Sequence, residues 1–286
     1  MTLFIHIGFG KTGTTAIQDF FFHHRDDLAK ASLIYPQTGL RGTGHHDLAE
    51  LGLRELRPIV KSHWRTIAQQ LKEKPNQSVL LSSENFCFMH PDCIREMSEL
   101  FEGQRVKILF YIRPQVPLVE STYLHWQVTN LDYRGEIGRF FFWHHEAFDF
   151  EARIAPWVEN FGEEAILARL YDKRITGEDV RADLLELLGM RGVIEVGDLE
   201  KSNTSLLPEY SNLVALIDEL SPIAKSRQAI IEELLQLSRR SKKTPGFSLI
   251  DDELKRGITE LYAASNRRFA ERFLDEQQSA IILLSL

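Results

Sequence analysis

The sequence predicts an α/β fold: a doubly wound parallel sheet flanked by helices, with a helical C-terminal part from about residue 176. Three observations carry this. Short apolar runs of strand composition recur at Leu3–Ile7, Leu33–Tyr35, Val79–Ser82, Val106–Ile112 and Ala165–Leu170, with helical spacing between them. Strands alternating with helices give parallel crossover units. The first run enters a glycine-rich turn that opens a helix, and beyond residue 176 only helical spacing is found.

The elements follow in order. After the first strand and its turn, a helix is expected from Thr14 to Lys30, with Ile17, Phe20, Phe21 and Leu28 on its core face. The second strand is short and stops at Pro36; a Gly/Thr-rich loop, Pro36–Gly44, precedes expected helices at 46–56 and 59–73. The third strand ends in Ser83-Glu84, and the fourth, Val106–Ile112, ends in Arg113-Pro114. A helix at about 117–129 carries Ser121, and another at 148–161 leads to the fifth strand. Phe140-Phe141-Phe142-Trp143 reads as a buried helix face. Ala182–Leu188, Tyr210–Leu220, Ala229–Leu237 and Leu254–Phe273 have helical spacing, and Ser238–Lys243 is a basic run of the kind found in solvated loops. No repeat or low-complexity linker divides the chain, so residues 1–286 are expected to be one domain.

Composition narrows the function. Apolar residues make up 43% and charged residues 26%, as in an ordinary globular protein. A net charge of −7 argues against a nucleic-acid binder, whose affinity comes from basic surface. The N-terminus shows no basic region followed by a long apolar run, and Phe20-Phe21-Phe22 is too short to span a bilayer, so a cytoplasmic protein without a membrane span is expected. Cys87, His90 and Cys93 form C-x-x-H-x-x-C, but a structural zinc needs four ligands and no fourth is evident; no metal is expected.

The turn Gly8-Phe9-Gly10-Lys11-Thr12-Gly13-Thr14-Thr15 has the makings of a phosphate cradle, and the fold is P-loop-like in this respect. Glycine lets the backbone approach an anion, and N–H groups at a helix start point at it. Lys11 adds a charge, Thr14 and Thr15 add hydroxyls. The turn is not a Walker A loop, since G-x-x-x-x-G-K-[ST] would need a glycine where Ile5 stands. It fits G-x-G-x-x-G, yet the second strand supplies no acid for a ribose.

Lys11-Thr12-Gly13-Thr14-Thr15 after a strand resembles the 5′-phosphosulfate loop of sulfotransferases that use phosphoadenosine phosphosulfate (PAPS). Arg113 at a strand end, with Ser121 eight residues later, resembles that family's 3′-phosphate motif. A guanidinium can grip a phosphate with two parallel bonds, and a serine hydroxyl adds a third. The look is closest to bacterial members acting on carbohydrates or other small hydroxyl compounds; the C-terminal R-K-G motif of the eukaryotic cytosolic enzymes has no copy here. The resemblance implies Gly10, Lys11, Thr12, Gly13, Thr14, Thr15, Arg113 and Ser121 as cofactor-binding residues. Lys201 and Asn203 come from a stretch, Lys201–Ser205, that looks like a cofactor-covering loop. It also implies sulfuryl transfer from PAPS to a small-molecule or glycan hydroxyl, leaving adenosine 3′,5′-bisphosphate and requiring no metal.

Transfer needs a cation for the leaving phosphate and a base for the acceptor hydroxyl. Lys11 suits the first role. For the second, His45 and His46 open an expected helix at the sheet's C-terminal edge. Their pattern H-x-D-x-x-E-L resembles the segment around the catalytic histidine of some heparan sulfate sulfotransferases, which favours His45. Glu84 after the third strand is the rival, since other members of the family use a glutamate. The alternative is a Mg²⁺-dependent P-loop kinase or NTPase, with Mg²⁺ on Thr12 or Glu84. A third reading is a non-enzymatic binder of adenosine bisphosphate.

Overall fold

The computed structural model describes residues 1–129, 135–197, 205–220 and 224–284. Strands β1 (Leu3–His6), β2 (Leu33–Ile34), β3 (Ser78–Ser82), β4 (Val106–Ile112) and β5 (Ile166–Leu170) form one parallel sheet in the order β2-β3-β1-β4-β5. Helices in chain order are α1 (Thr14–His23), α2 (Arg25–Lys30), α3 (Pro58–Glu73), α4 (Pro91–Ser98), α5 (Gln115–Thr129), α6 (Ile137–His144) and α7 (Phe150–Phe161). After β5 come α8 (Lys173–Thr176), α9 (Val180–Leu187), α10 (Ser211–Leu220), α11 (Ala224–Arg240), α12 (Asp252–Phe273) and α13 (Glu276–Leu284). The fold is α/β, a parallel sheet flanked by helices. Among the described residues no helix is long and apolar enough to cross a membrane.

The chain divides into two compact units. The first holds Met1–Arg113, Asp149–Leu199 and Ala264–Ser285; the second holds Pro114–Phe148 and Glu200–Ala263. In the first, β1 sits between β3 and β4, with His6 level with Ser82 on one side and Leu109 on the other. The strand after β1 lies to one side of it and the strand after β4 lies to the other. The crevice beyond the C-terminal ends of β1 and β4 is therefore the topological switch point, where such sheets bind ligands. Alternation along β4 fills both faces. Leu109 and Tyr111 join Ile17, Phe20, Phe21, Val180 and Leu184 on one face. Phe110 meets Phe9 and Phe269 on the other, at ring-centroid distances of 5.4 and 6.0 Å. Each such side chain contributes roughly 1.5–3 kcal/mol by leaving water.

In the second unit, the Gln127 side chain of α5 accepts from Ser211 Oγ at 2.8 Å, and its main-chain carbonyl accepts from Arg227 at 2.6 Å. Glu120, buried on the same helix, accepts from Ser248 Oγ at 2.7 Å and Leu249 N–H at 2.8 Å.

Several elements differ from expectation. The helix expected from Thr14 to Lys30 breaks at His24, whose ring bonds back to the Phe20 carbonyl at 2.9 Å. The helix expected at 46–56 is a single 3₁₀ turn, His46–Leu48, and Ala49 is already extended. Helical burial of Leu51 and Leu53 does not occur: both are exposed, while Glu50 is buried against Arg57. In the tetrad at 140–143, Phe140 and Phe141 are buried but Phe142 and Trp143 stand exposed, because a helix turns adjacent residues to different faces. Helices α4 and α13 were not expected.

Candidate active site

The loop between β1 and α1 takes its shape from three residues. Gly13 is the N-cap of α1 at φ 81°, and a Cβ there would stand 2.8 Å from Val180 Cγ1, so both conformation and space require glycine. Thr12 is fully buried and its hydroxyl donates to the Phe9 carbonyl at 2.5 Å, tying the loop to itself. Lys11 holds φ 67°, a left-handed conformation unusual for a lysine. No side chain caps α1 and its first turn carries no acid. Among the described residues no side chain accepts from the N–H groups of that turn. Thr14 is buried and Thr15 exposed.

Arg113 follows β4 directly and its Nη1 reaches the Lys11 carbonyl at 3.5 Å. The Lys11 ammonium is depressed below its ordinary value, first by burial and then by the Arg113 guanidinium. Among the described residues no acid forms an ion pair with Lys11. Two cations crowded at the switch point, beside an uncapped helix start, can accept a multiply charged anion. At the end of β1 His6 is fully buried, its Nδ1 on Ser82 Oγ at 2.8 Å and its Nε2 without a partner among the described residues, and burial lowers it to about 4.

His45 does not enter a cleft. It is completely buried, its Nδ1 accepts the Ser82 N–H at 3.1 Å, and its Nε2 donates to the Pro36 carbonyl at 2.9 Å. Its own N–H donates to the Ser82 carbonyl at 2.7 Å. Both ring nitrogens are spent on backbone and burial pushes the imidazole down to about 4. The His45 ring, at the residue before the 3₁₀ turn, lies in the interior, where it fastens the 36–45 segment to the end of β3.

His46 and Glu84 are the groups that reach the surface, with side chains 18% and 33% exposed and His46 Nδ1 4.0 Å from Glu84 Oε2. His46 Nδ1 is also 2.9 Å from Ser83 Oγ. Glu84 Oε2 accepts from the Gln18 amide at 2.9 Å, while Oε1 has no partner among the described residues. Gln18, buried on α1, was missed in the sequence, where it reads as one more position on an apolar helix face. Gly44 makes the convergence possible: a Cβ there would lie 2.6 Å from His46 Nε2 and 2.9 Å from the Gln18 amide.

Beside His46 a groove of about 440 Å³ is lined by Arg41, Asp47, Glu50, Arg57, His63 and Asn85, with aliphatic Ala49, Leu51, Ile59 and Val60. Its charges are paired, Arg41 with Asp47 at 3.1 Å and Arg57 with Glu50 at 2.9 Å, and no aromatic ring other than the two imidazoles lines it.

Ser121 is half-buried on α5, in the second unit. Lys201 and Asn203 lie outside the described residues. His90 caps α4 by accepting the Asp92 N–H at 3.2 Å, and the Cys93 thiol contacts the Leu53 carbonyl at 3.4 Å. Burial raises both thiols, Cys87 to about 12 and Cys93 to about 11.

No family model matches the chain. A curated protein of Archaeoglobus fulgidus, described as uncharacterized, is 25% identical over 208 residues. The match covers 70% of this chain and 55% of that protein, so the chain spans about half the length of the relative. A crystal structure of a sulfotransferase from Alicyclobacillus acidocaldarius aligns at 17% identity over 83% of this chain and 98% of that one, with a TM-score of 0.44. Mouse sulfotransferase SULT7A1 complexed with PAP aligns at 15% identity over 98% of this chain and 87% of that one, with a TM-score of 0.40. At that level of overlap, the chemistry of the site rests on the chain's own residues.

Proposed function

We propose that this protein is a sulfotransferase that uses PAPS and passes a sulfuryl group to a hydroxyl of a small, hydroxyl-rich acceptor such as a carbohydrate. The observation that carries this reading is the Lys11–Arg113 pair, two cations crowded at the start of α1, where the glycine that begins the helix offers no side-chain cap. Such a site suits a ligand with anionic groups at two places. The backbone N–H groups of residues 10–15 and Lys11 would hold the 5′ end, and Arg113 the 3′-phosphate. When bound, PAPS supplies the sulfuryl group that the acceptor oxygen takes up.

The chain's residues have distinct parts. Lys11 places positive charge where the leaving phosphate gathers negative charge. Glu84 takes the acceptor proton at Oε1, the oxygen left open, with His46 beside it. The neighbouring groove supplies donors and acceptors in ion pairs and, among its lining residues, no aromatic ring beyond two imidazoles, which favours a polyhydroxylated acceptor over a phenol. The kinase reading has less support. Thr12, one of the two residues that would hold Mg²⁺ in that reading, turns its hydroxyl inward to Phe9.

The test is a thermal-shift series without metal, followed by turnover of labelled PAPS against a library of hydroxyl compounds. Adenosine 3′,5′-bisphosphate should stabilise the protein far more than ADP or AMP, and neutral sugars should be sulfated in preference to phenols. Equal shifts for ADP, or a strict Mg²⁺ requirement, would overturn the reading.

A further inference from the structure

Gln18 stands where two parts of the site meet. It lies on α1, five residues after the Gly13 cap, so its backbone is rigidly continuous with the phosphate loop. Its side chain is buried, and its amide is given to one oxygen of one carboxylate, Glu84 Oε2, at 2.9 Å. That oxygen is the one 4.0 Å from His46 Nδ1. Residue 44 is a glycine against which both the Gln18 amide and the His46 ring are pressed. A buried amide needs a partner, but an ordinary core would supply a backbone carbonyl. Here the partner is a partly exposed carboxylate at the sheet edge where substrates bind.

We propose that Gln18 is a positioning residue for the transfer reaction: its amide fixes Glu84 Oε2 so that Oε1 faces the acceptor, and it ties that orientation to the helix that begins at the phosphate loop. This rests on the sulfotransferase reading given above. A carboxylate held by one oxygen has lost a rotation that a free glutamate would keep, and reacting groups gain rate by being held in register. The charged and titratable groups around the contact are His46 and Ser83 from the adjoining segments, and the buried Tyr35, whose phenol is raised by burial and by the charges of Asp19 and Glu84. His45 lies behind His46, and the ion pairs of Arg41 and Arg57 line the groove beyond.

The experiment compares Gln18→Met, which keeps the shape and removes the donor, with Gln18→Glu, which keeps the shape and can donate only when protonated. Gln18→Met should lower kcat by about tenfold or more, with the Kd for adenosine 3′,5′-bisphosphate unchanged. In a Glu84→Gln background the same substitution should cost less than about twofold, because the two residues act as one unit. The kcat of Gln18→Glu relative to the parent should rise as pH is lowered, since protonation restores the donor. A merely structural glutamine would show none of these three. A fall in kcat that persists undiminished in the Glu84→Gln background overturns the proposal, as does a loss confined to cofactor affinity. If Gln18→Met does not fold, Gln18→Glu and its pH dependence decide. If the parent turns over no acceptor, the sulfotransferase reading fails. The Gln18 side-chain amide resonance then tests the contact separately: it should move on Glu84→Ala, and a fixed resonance sinks the positioning role.

Discussion

Lys11 combines a strained backbone with a charge that no acid among the described residues pairs, and the two can be separated by substitution. At φ 67° a residue with a Cβ costs about 1–2 kcal/mol. Lys11→Ala keeps that cost and removes the cation. Lys11→Gly removes both, but glycine gives back about 0.5–1 kcal/mol through the greater freedom of the unfolded chain. The ligand-free protein should therefore be more stable as Lys11→Gly than as Lys11→Ala by about 0.5–1 kcal/mol. Neither variant should be less stable than the parent, because the crowding of Lys11 by Arg113 and its burial both disappear. Turnover should move the other way, with both variants losing about 10²-fold or more in kcat, the usual cost of removing a group that stabilises charge in the transition state. Urea unfolding without ligand gives the first quantity and single-turnover sulfuryl transfer the second. Two near-normal rates would show that Lys11 does not face the developing charge. A parent more stable than either variant would show that the left-handed lysine is held by contacts of its own.

Arg113→Ala should act through cofactor affinity rather than kcat, weakening adenosine 3′,5′-bisphosphate by about tenfold or more and AMP by much less, as calorimetry can measure. The buried histidines set an acid limit. His6 and His45 are both lowered from 6.5 to about 4 by burial, so they bind protons more tightly when unfolded. Their share of stability is complete above pH 6.5 and is lost as pH falls from 6.5 toward 4, by up to about 1.4 kcal/mol per pH unit each. Urea midpoints across that window should show the slope, and His45→Phe should flatten it by one proton while costing about 2 kcal/mol or more for the two backbone groups left unpaired. An unchanged slope in His45→Phe would mean that the ring is protonated in the folded chain.

The sequence made the frame of the site readable because the frame depends on local chemistry. A strand, a glycine that must cap a helix, and an arginine closing an apolar run each leave a signal within a few residues; Lys11 and Gly13 lie in the loop after β1, and Arg113 closes the adjoining β4. The surroundings of the candidate bases are set by contacts distant in the chain. His45 and His46 are neighbours with the same side chain, and their roles are set by which one meets Ser82 and Pro36, contacts made across the fold. The helix expected at 46–56 stops after one turn, and Glu50 is buried with its carboxylate on the largely exposed Arg57, a contact seven residues away in the chain. Gln18 left no trace, since a buried amide on a helix face looks like any other polar interruption until Glu84 is placed opposite it.

His45 is a rivet, and rivets permit exchange of what lies between them. Residues 37–44 run out from Pro36 and return to His45, both held by the same imidazole, and the short bridge of Arg41 to Gly44 closes the excursion on itself. Changes at Arg41 and Gly42 would reshape the wall that Arg41 lends to the groove, while Gly44 keeps its place against Gln18 and His46. Acceptor preference can thus drift over evolutionary time, or be recast in the laboratory, by swapping a hairpin whose two ends are already fastened.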